Sequence, residues 1–264
     1  MLIGIAGQMQ CGKDTIAKII QSFDCYYNEK FNQLFEYSHY SDILFVEHML
    51  SDDKLFNDIL FYTSWKRHGF ADKLKEIVAI LFGCTVKDLH NNDFKNSPLP
   101  DEWQTPGSDI VLTYRFALQQ IGTELFRNKW HHDTWILSTL QGYKPNIPTL
   151  YPDGNYINTC SICGKMEHNT DKLCRVCREC WDKLQYPNWV ITDCRFLNEI
   201  EAVKEKGGYV IKVERNINNG IHTHASETEQ NEYNSYDYII ENNGTLNELI
   251  HKIKNILIEL KLFN

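Results

Sequence analysis

The chain has 264 residues, enough for one large domain or two, and 42% of them are hydrophobic, enough to bury a proper core. Its net charge of −8 argues against a broad surface for nucleic acid, so nucleic acid is not an expected partner, although a local basic pocket fits this balance. No apolar run approaches the ~20 residues of a membrane span, and no signal-peptide pattern opens the chain. A soluble, cytoplasmic protein is therefore expected, and clustered cysteines read as metal ligands rather than disulfides.

Residues 1–6 form a short apolar run that reads as a buried strand. A loop of pattern G-x-x-x-x-G-K-D-T follows, containing Gly7, Cys11, Gly12, Lys13, Asp14 and Thr15. Ile16, Ile19, Ile20 and Phe23 then recur at helical spacing. Strand, glycine loop and helix in this order make a phosphate-binding loop. Glycines let backbone N–H groups turn inward around phosphate oxygens, and the positive end of the helix points at the same anion. Lys13 adds a mobile cation against the β- and γ-phosphates. Asp14 stands where the usual pattern has the hydroxyl that holds Mg²⁺. Two alternatives stay open: Thr15 supplies a hydroxyl one residue later, or Asp14 acts through a water.

Residues 24–64 show no clean period, and short helices with a strand near 58–65 are expected there. Arg67 and Lys73 flank the start of a clear helix, with Leu74, Ile77, Val78, Leu81 and Phe82 on one face and Gly83 as its stop. Residues 90–109 read as a loop, a candidate lid. A strong helix is expected over residues 113–128, with Leu118, Ile121 and Leu125 on its apolar side. Arg115, Gln119 and Gly122 form a separate stripe on it, suited to a small anionic ligand: the Arg pairs with phosphate, the amide reads a base edge, and the Gly allows close approach. Residues 134–140 continue as helix.

Two Cys-x-x-Cys pairs follow, Cys160 with Cys163 and Cys174 with Cys177, a spacing that suits a tetrahedral structural Zn²⁺. Cys180 is an alternative to Cys177, and His168 a weaker one. Residues 188–193 then form an apolar strand ending in Asp193, the position from which a phosphate-loop protein holds Mg²⁺ or its waters. Strands are further expected at residues 209–214 and 236–240, and a final helix buries Leu246, Leu249, Ile250, Ile253, Ile256, Leu257 and Leu260. The alternation gives an α/β fold with a parallel sheet flanked by helices and a small Cys-rich, zinc-ribbon-like insertion. The expected division is a core at residues 1–141 and 188–264 with an insertion at 142–187, its Cys-rich part spanning about 158–182.

The separated motifs also share an order. G-x-x-x-x-G-K-D-T, G-F-A-D-x-L-K, R-x-A-L-Q-x-x-G-T-E, a Trp, D-x-R-F-x-N-E, H-A-S-E-T and N-x-G-T-L together resemble the deoxynucleoside monophosphate kinases of tailed phages and large DNA viruses. The match spans most of the chain apart from residues 24–60 and the cysteine insertion. The resemblance implies a P-loop kinase in which ATP sits on the glycine loop and a deoxynucleoside monophosphate sits opposite. Carried onto matching positions, Gly12, Lys13, Asp14 and Thr15 would hold ATP phosphates and Mg²⁺. Arg67, Arg115, Gly122, Thr123 and Trp135 would line the acceptor site. Asp193, Arg195 and Asn198 or Glu199 would line the catalytic cleft. Lys13, Mg²⁺, Arg115 and Arg195 would then neutralise the transferring group. The resemblance also implies a homodimer. Two other readings compete: a P-loop kinase acting on dephospho-coenzyme A or phosphomevalonate, and a zinc-bearing nucleic-acid-binding protein regulated by ATP.

Overall fold

The apolar run at the start becomes β1 (Leu2–Gly7), buried at every position. A strand with no polar face belongs in the middle of a parallel sheet covered on both sides. The computed structural model, which describes residues 1–34, 39–145, 186–216 and 233–262, puts it there. The other strands are β2 (Trp65–His68), β3 (Asn188–Cys194), β4 (Tyr209–Glu214) and β5 (Tyr238–Glu241). They pair in the order β2–β3–β1–β4–β5, all parallel, with Ile3 opposite Val190 on one side and Tyr209 on the other. This is the expected α/β fold with its parallel sheet.

The helices are α1 (Lys13–Tyr26), α2 (Glu29–Leu34), α3 (Asp42–Ser51), α4 (Asp53–Ile59) and α5 (Asp72–Phe82). They continue as α6 (Asn92–Asn96), α7 (Tyr114–Gln119), α8 (Thr134–Leu140), α9 (Leu197–Glu205) and α10 (Leu246–Glu259). Alternation along β1 divides the core between the two faces of the sheet. Ile3 and Ile5 share one cluster with Ile16 and Ile20 of α1, Phe45 and Met49 of α3, and Ile250 and Ile253 of α10. Gly4 points the other way: a Cβ there would lie 3.0 Å from Cys194 Sγ and 3.3 Å from Val203 of α9. No helix among the described residues is long and apolar enough to cross a membrane.

Several local expectations change. The strand expected near 58–65 starts only at Trp65, and residues 53–59 are helical. Asp52 sets that helix by accepting the backbone N–H groups of Lys54 and Leu55 at 2.8 and 3.3 Å. The segment 90–109 is not plain loop, because turns of 3₁₀ helix at Asp88–His90 and Asp101–Trp103 flank α6. The helix expected over residues 113–128 changes pitch: α7 ends at Gln119, and a π-helix runs from Gln120 to Trp130. A π-helix closes its bonds from i to i+5, which rotates later side chains away from the α-helical stripe. Leu125 is accordingly 52% exposed, while Gly122 and Arg127 are buried. Leu81 and Leu246, expected in the core, lie near helix ends and are 47% and 43% exposed.

The chain divides into two compact units, Met1–Gly142 with Asn188–Asn264, and Tyr143–Pro187. The first holds the sheet and every helix named above. Most of the second lies outside the described residues. So do the expected zinc ligands Cys160, Cys163, Cys174 and Cys177, their alternatives Cys180 and His168, and the H-A-S-E-T motif. Among the described residues no group of three or more His, Cys, Asp or Glu is arranged to hold a metal ion.

Candidate active site

The carboxyl ends of β1, β2 and β3 gather the chemistry, as expected of an open α/β sheet. The loop from β1 to α1 takes left-handed backbone angles at Gly7 (φ 147°), Gln10 (φ 64°) and Gly12 (φ 105°). Glycine adopts such angles without strain. At Gly12 the space is also taken, since a Cβ would lie 2.6 Å from Asn242 Nδ2. That amide donates to the Cys11 carbonyl at 2.8 Å and so ties the loop to the end of β5. Lys13 is buried, and its ammonium donates to the Gly7 and Gln8 carbonyls at 2.7 and 2.5 Å. Cys11 Sγ lies 3.8 Å from the same nitrogen. Burial pushes the Cys11 thiol above its ordinary value, with Lys13 opposing.

Asp14 faces β2. Arg67 donates to its Oδ1 through Nε and Nη2 at 3.0 and 2.7 Å. Burial alone would raise the Asp14 carboxyl; Arg67, a hydrogen bond from Thr192 and the charge of Lys13 together hold it below the usual range. Arg67 on β2 is therefore tied to the first turn of α1. Lys73 pairs with Glu76 at 2.7 Å on the surface of α5. Asp193 accepts the backbone N–H groups of Phe70 (2.7 Å) and Ala71 (3.0 Å), fixing the turn into α5.

Beside this edge lies a cavity of about 430 Å³. Arg115, Gln119, Gly122 and Thr123 line it from α7 and the π-helix, and Trp135, Asp193, Arg195 and Glu199 close other walls. Met9 brings the phosphate loop to the same space. Arg115 Nε donates to Asn96 Oδ1 at 2.7 Å, joining α7 to α6. Gly122 makes room for a neighbour rather than for a ligand alone: a Cβ there would meet Leu74 Cδ2 at 2.5 Å. Trp135 is 5% exposed and donates from Nε1 to the Gly122 carbonyl at 2.9 Å.

Of the pair Asn198 and Glu199, Glu199 lines the cavity and Asn198 does not. Asn198 accepts from Arg127 Nη1 at 3.1 Å and donates to Asp133 Oδ1 at 2.7 Å. Glu199 is buried, pairs with Arg127 Nη2 at 2.6 Å, and accepts the backbone N–H groups of Arg195 and Phe196 at 2.8 and 3.1 Å. Burial raises the Glu199 carboxyl, Arg127 opposes this, and Asp193 adds to it. The Arg127 guanidinium also lies 3.7 Å from the Phe196 ring centre. Arg127 was not singled out from sequence, because a charged residue in the last turn of a helix reads as solvated and the change of pitch is not visible there. Lys75 and Lys95 also line the cavity and were likewise missed. Lys95 lies in the segment read as loop, while Lys75 sits inside the quoted G-F-A-D-x-L-K motif without a role of its own.

Comparison with known proteins gives two findings. Residues 170–253 match the family model described as deoxynucleotide monophosphate kinase. A protein of Acanthamoeba polyphaga mimivirus, provisionally named a deoxynucleotide monophosphate kinase, is 28% identical over 185 residues, covering 70% of this chain and 79% of its own length. Both findings bear out the resemblance to the deoxynucleotide monophosphate kinases that the motifs carry, and both support a nucleotide kinase.

Proposed function

We propose that the protein transfers the γ-phosphoryl group of ATP to the 5′-phosphate of a deoxynucleoside monophosphate, giving the diphosphate. The observation that carries this reading is one juxtaposition. A phosphate loop with a buried lysine and a cation-lined cavity share the same end of one parallel sheet. ATP phosphates fit the loop: the backbone is already turned at Gly7 and Gly12, and the start of α1 points into it. The acceptor fits the cavity, where Arg115 and Arg195 meet a phosphate and Gln119 offers an amide to a base edge. Phe70, Leu118 and Phe196 supply apolar surface for the base.

The attacking oxygen belongs to a phosphate that is largely dianionic near neutral pH, its second pKa being about 6. No strong general base is needed, and the chain's task is alignment and charge neutralisation. Lys13 leaves its loop carbonyls for the β- and γ-phosphates, while Arg115 and Arg195 hold the acceptor side. Asp14, Thr15 and Asp193 offer oxygen donors of the kind Mg²⁺ takes and would hold it, and the bound ion would supply further charge neutralisation to the phosphates. Asn242 acts as a positioning residue through the Cys11 carbonyl. Asn242→Ala is expected to raise the KM for ATP roughly fivefold, the worth of about one hydrogen bond, with the acceptor KM unchanged in steady-state kinetics.

In the same reading, residues 1–141 and 188–264 form the kinase core. The insertion at 142–187 holds structural Zn²⁺ on Cys160, Cys163, Cys174 and Cys177, a proposal that rests on their spacing. Elemental analysis of protein purified without added metal is expected to find stoichiometric zinc, and zinc-free folded protein would remove that assignment. The activity itself is tested by coupling ADP release to a panel of acceptors. Turnover with a deoxynucleoside monophosphate supports the proposal. Turnover with dephospho-coenzyme A or phosphomevalonate alone would replace it.

A further inference from the structure

The cavity is far more cationic than a protein of net charge −8 suggests. Its lining carries Lys75, Lys95, Arg115, Arg127 and Arg195 against the carboxylates of Asp193 and Glu199 alone. Both carboxylates are committed, Glu199 to Arg127 and Asp193 to two backbone N–H groups. Lys75 shares Asp72 at 3.3 Å, and Arg115 bonds the neutral amide of Asn96. The half-buried Lys95 ammonium donates no hydrogen bond and makes no ion pair among the described residues. Repulsion of this kind persists in a folded protein when the site serves an anion.

We propose that Lys95, carried on α6, is a residue that engages the acceptor's 5′-phosphate together with Arg195, with Lys75 of α5 as its neighbour. This rests on the kinase reading above and adds to it a phosphate-positioning residue in a segment that reads as loop. A phosphate dianion entering the cluster meets charges whose desolvation has already occurred, so it gains more than it would at a solvated lysine.

A pH signature follows. Burial first, and then the charges of Arg115, Lys75 and Arg195, lower Lys95 to about 8, with Asp14 opposing them. Below that value the free site is charged; above it Lys95 is neutral, and phosphate binding must recover a proton. The acceptor KM should therefore rise at alkaline pH. The other groups near Lys95 do not produce the same signature. The arginines keep their charge. His90 is pushed below its ordinary value by burial and by Lys75 and Arg67, so it is neutral throughout this range. Glu199 is common to the wild type and to the variants used.

The test is steady-state kinetics of the full chain with a deoxynucleoside monophosphate and ATP, for the wild type, Lys95→Met and Lys95→Arg. Lys95→Met is expected to raise the acceptor KM about 10- to 100-fold, leaving the ATP KM within about twofold of wild type. Lys95→Arg is expected to restore most of the loss. It is also expected to flatten the rise in acceptor KM, about tenfold in the wild type, between about pH 7 and pH 9. An unchanged acceptor KM in Lys95→Met, or an effect on ATP instead, overturns the proposal while an active wild type leaves the kinase reading standing. If the wild type phosphorylates no acceptor, the kinase reading fails by itself. Calorimetric binding of deoxynucleoside monophosphate, compared with the unphosphorylated deoxynucleoside, then decides. Tighter binding of the monophosphate that Lys95→Met abolishes supports the site, and equal binding of the two ligands overturns it.

Discussion

Lys13→Met is expected to lower turnover by on the order of 10²–10³-fold, the usual loss when one preorganised charge-stabilising donor is removed. The argument starts from where the ammonium sits. It is buried within its own loop, bonded among the described residues to the Gly7 and Gln8 carbonyls and near Cys11 Sγ. No carboxylate among the described residues pairs with it, so the anion it is built to meet is a ligand. Methionine keeps the apolar stem and removes the charge. Of the two carbonyls it leaves, that of Gln8 lies on an exposed residue, while that of Gly7 is buried and loses its partner. The melting temperature should therefore fall by roughly 2–12 °C, the cost of one buried acceptor left unpaired, while single-turnover phosphoryl transfer collapses in protein that is still folded. Near-wild-type turnover from folded Lys13→Met protein would remove Lys13 from the catalytic role.

Arg127→Ala is expected to act on the fold instead. Removing one partner of a buried ion pair leaves the other charge uncompensated and costs roughly 3–5 kcal/mol. Arg127 and Glu199 are each about 5% exposed or less, and they bridge the π-helix to the start of α9. In the variant, Glu199 would stay buried next to Asp193, which disfavours its charge further. The guanidinium also covers the Phe196 ring, so packing is lost with the charge. At about 2–4 °C per kcal/mol for a chain of this size, the melting temperature should fall by roughly 6–20 °C. Adding Glu199→Gln to Arg127→Ala should recover part of the loss, because the unpaired charge is then gone. Thermal denaturation of the two variants checks this. A shift of less than about 2 °C in Arg127→Ala would mean that the pair does not hold the cavity wall.

Much of the architecture was legible because it is written in local periods. β1, β3 and β4 are largely apolar runs of strand length, α1 and α5 carry helical stripes, and α5 is closed by a recognisable stop, Gly83 in a left-handed turn (φ 65°). The phosphate loop was legible because its backbone geometry demands glycine at fixed places. Residues 39–64 were not, since α3 is apolar around most of its surface and buries Phe45, Val46 and Met49 without a clear polar side.

The candidate site was legible only in part. Arg115, Gln119 and Gly122 were found as a stripe because their i, i+4, i+7 spacing places them on one helix face, and Thr123 was added by the resemblance alone. Leu125 was misjudged because the π-helix breaks the period after Gln119. Lys75, Lys95 and Arg195 converge only through tertiary packing of α5, α6 and the turn after β3, which no local spacing records. The pairing of Arg67 with Asp14 was not legible either, because it joins β2 to α1 across 53 residues of sequence and depends on the sheet order.

The most direct test of the central claim follows one phosphoryl group. Purified protein is incubated with γ-labelled ATP, Mg²⁺ and each of the common deoxynucleoside monophosphates, and the labelled products are separated. The account predicts label in a deoxynucleoside diphosphate, formed in step with ADP and lost in Lys13→Met. Label found only in ATP or in inorganic phosphate, with every acceptor and with folded protein, would contradict it.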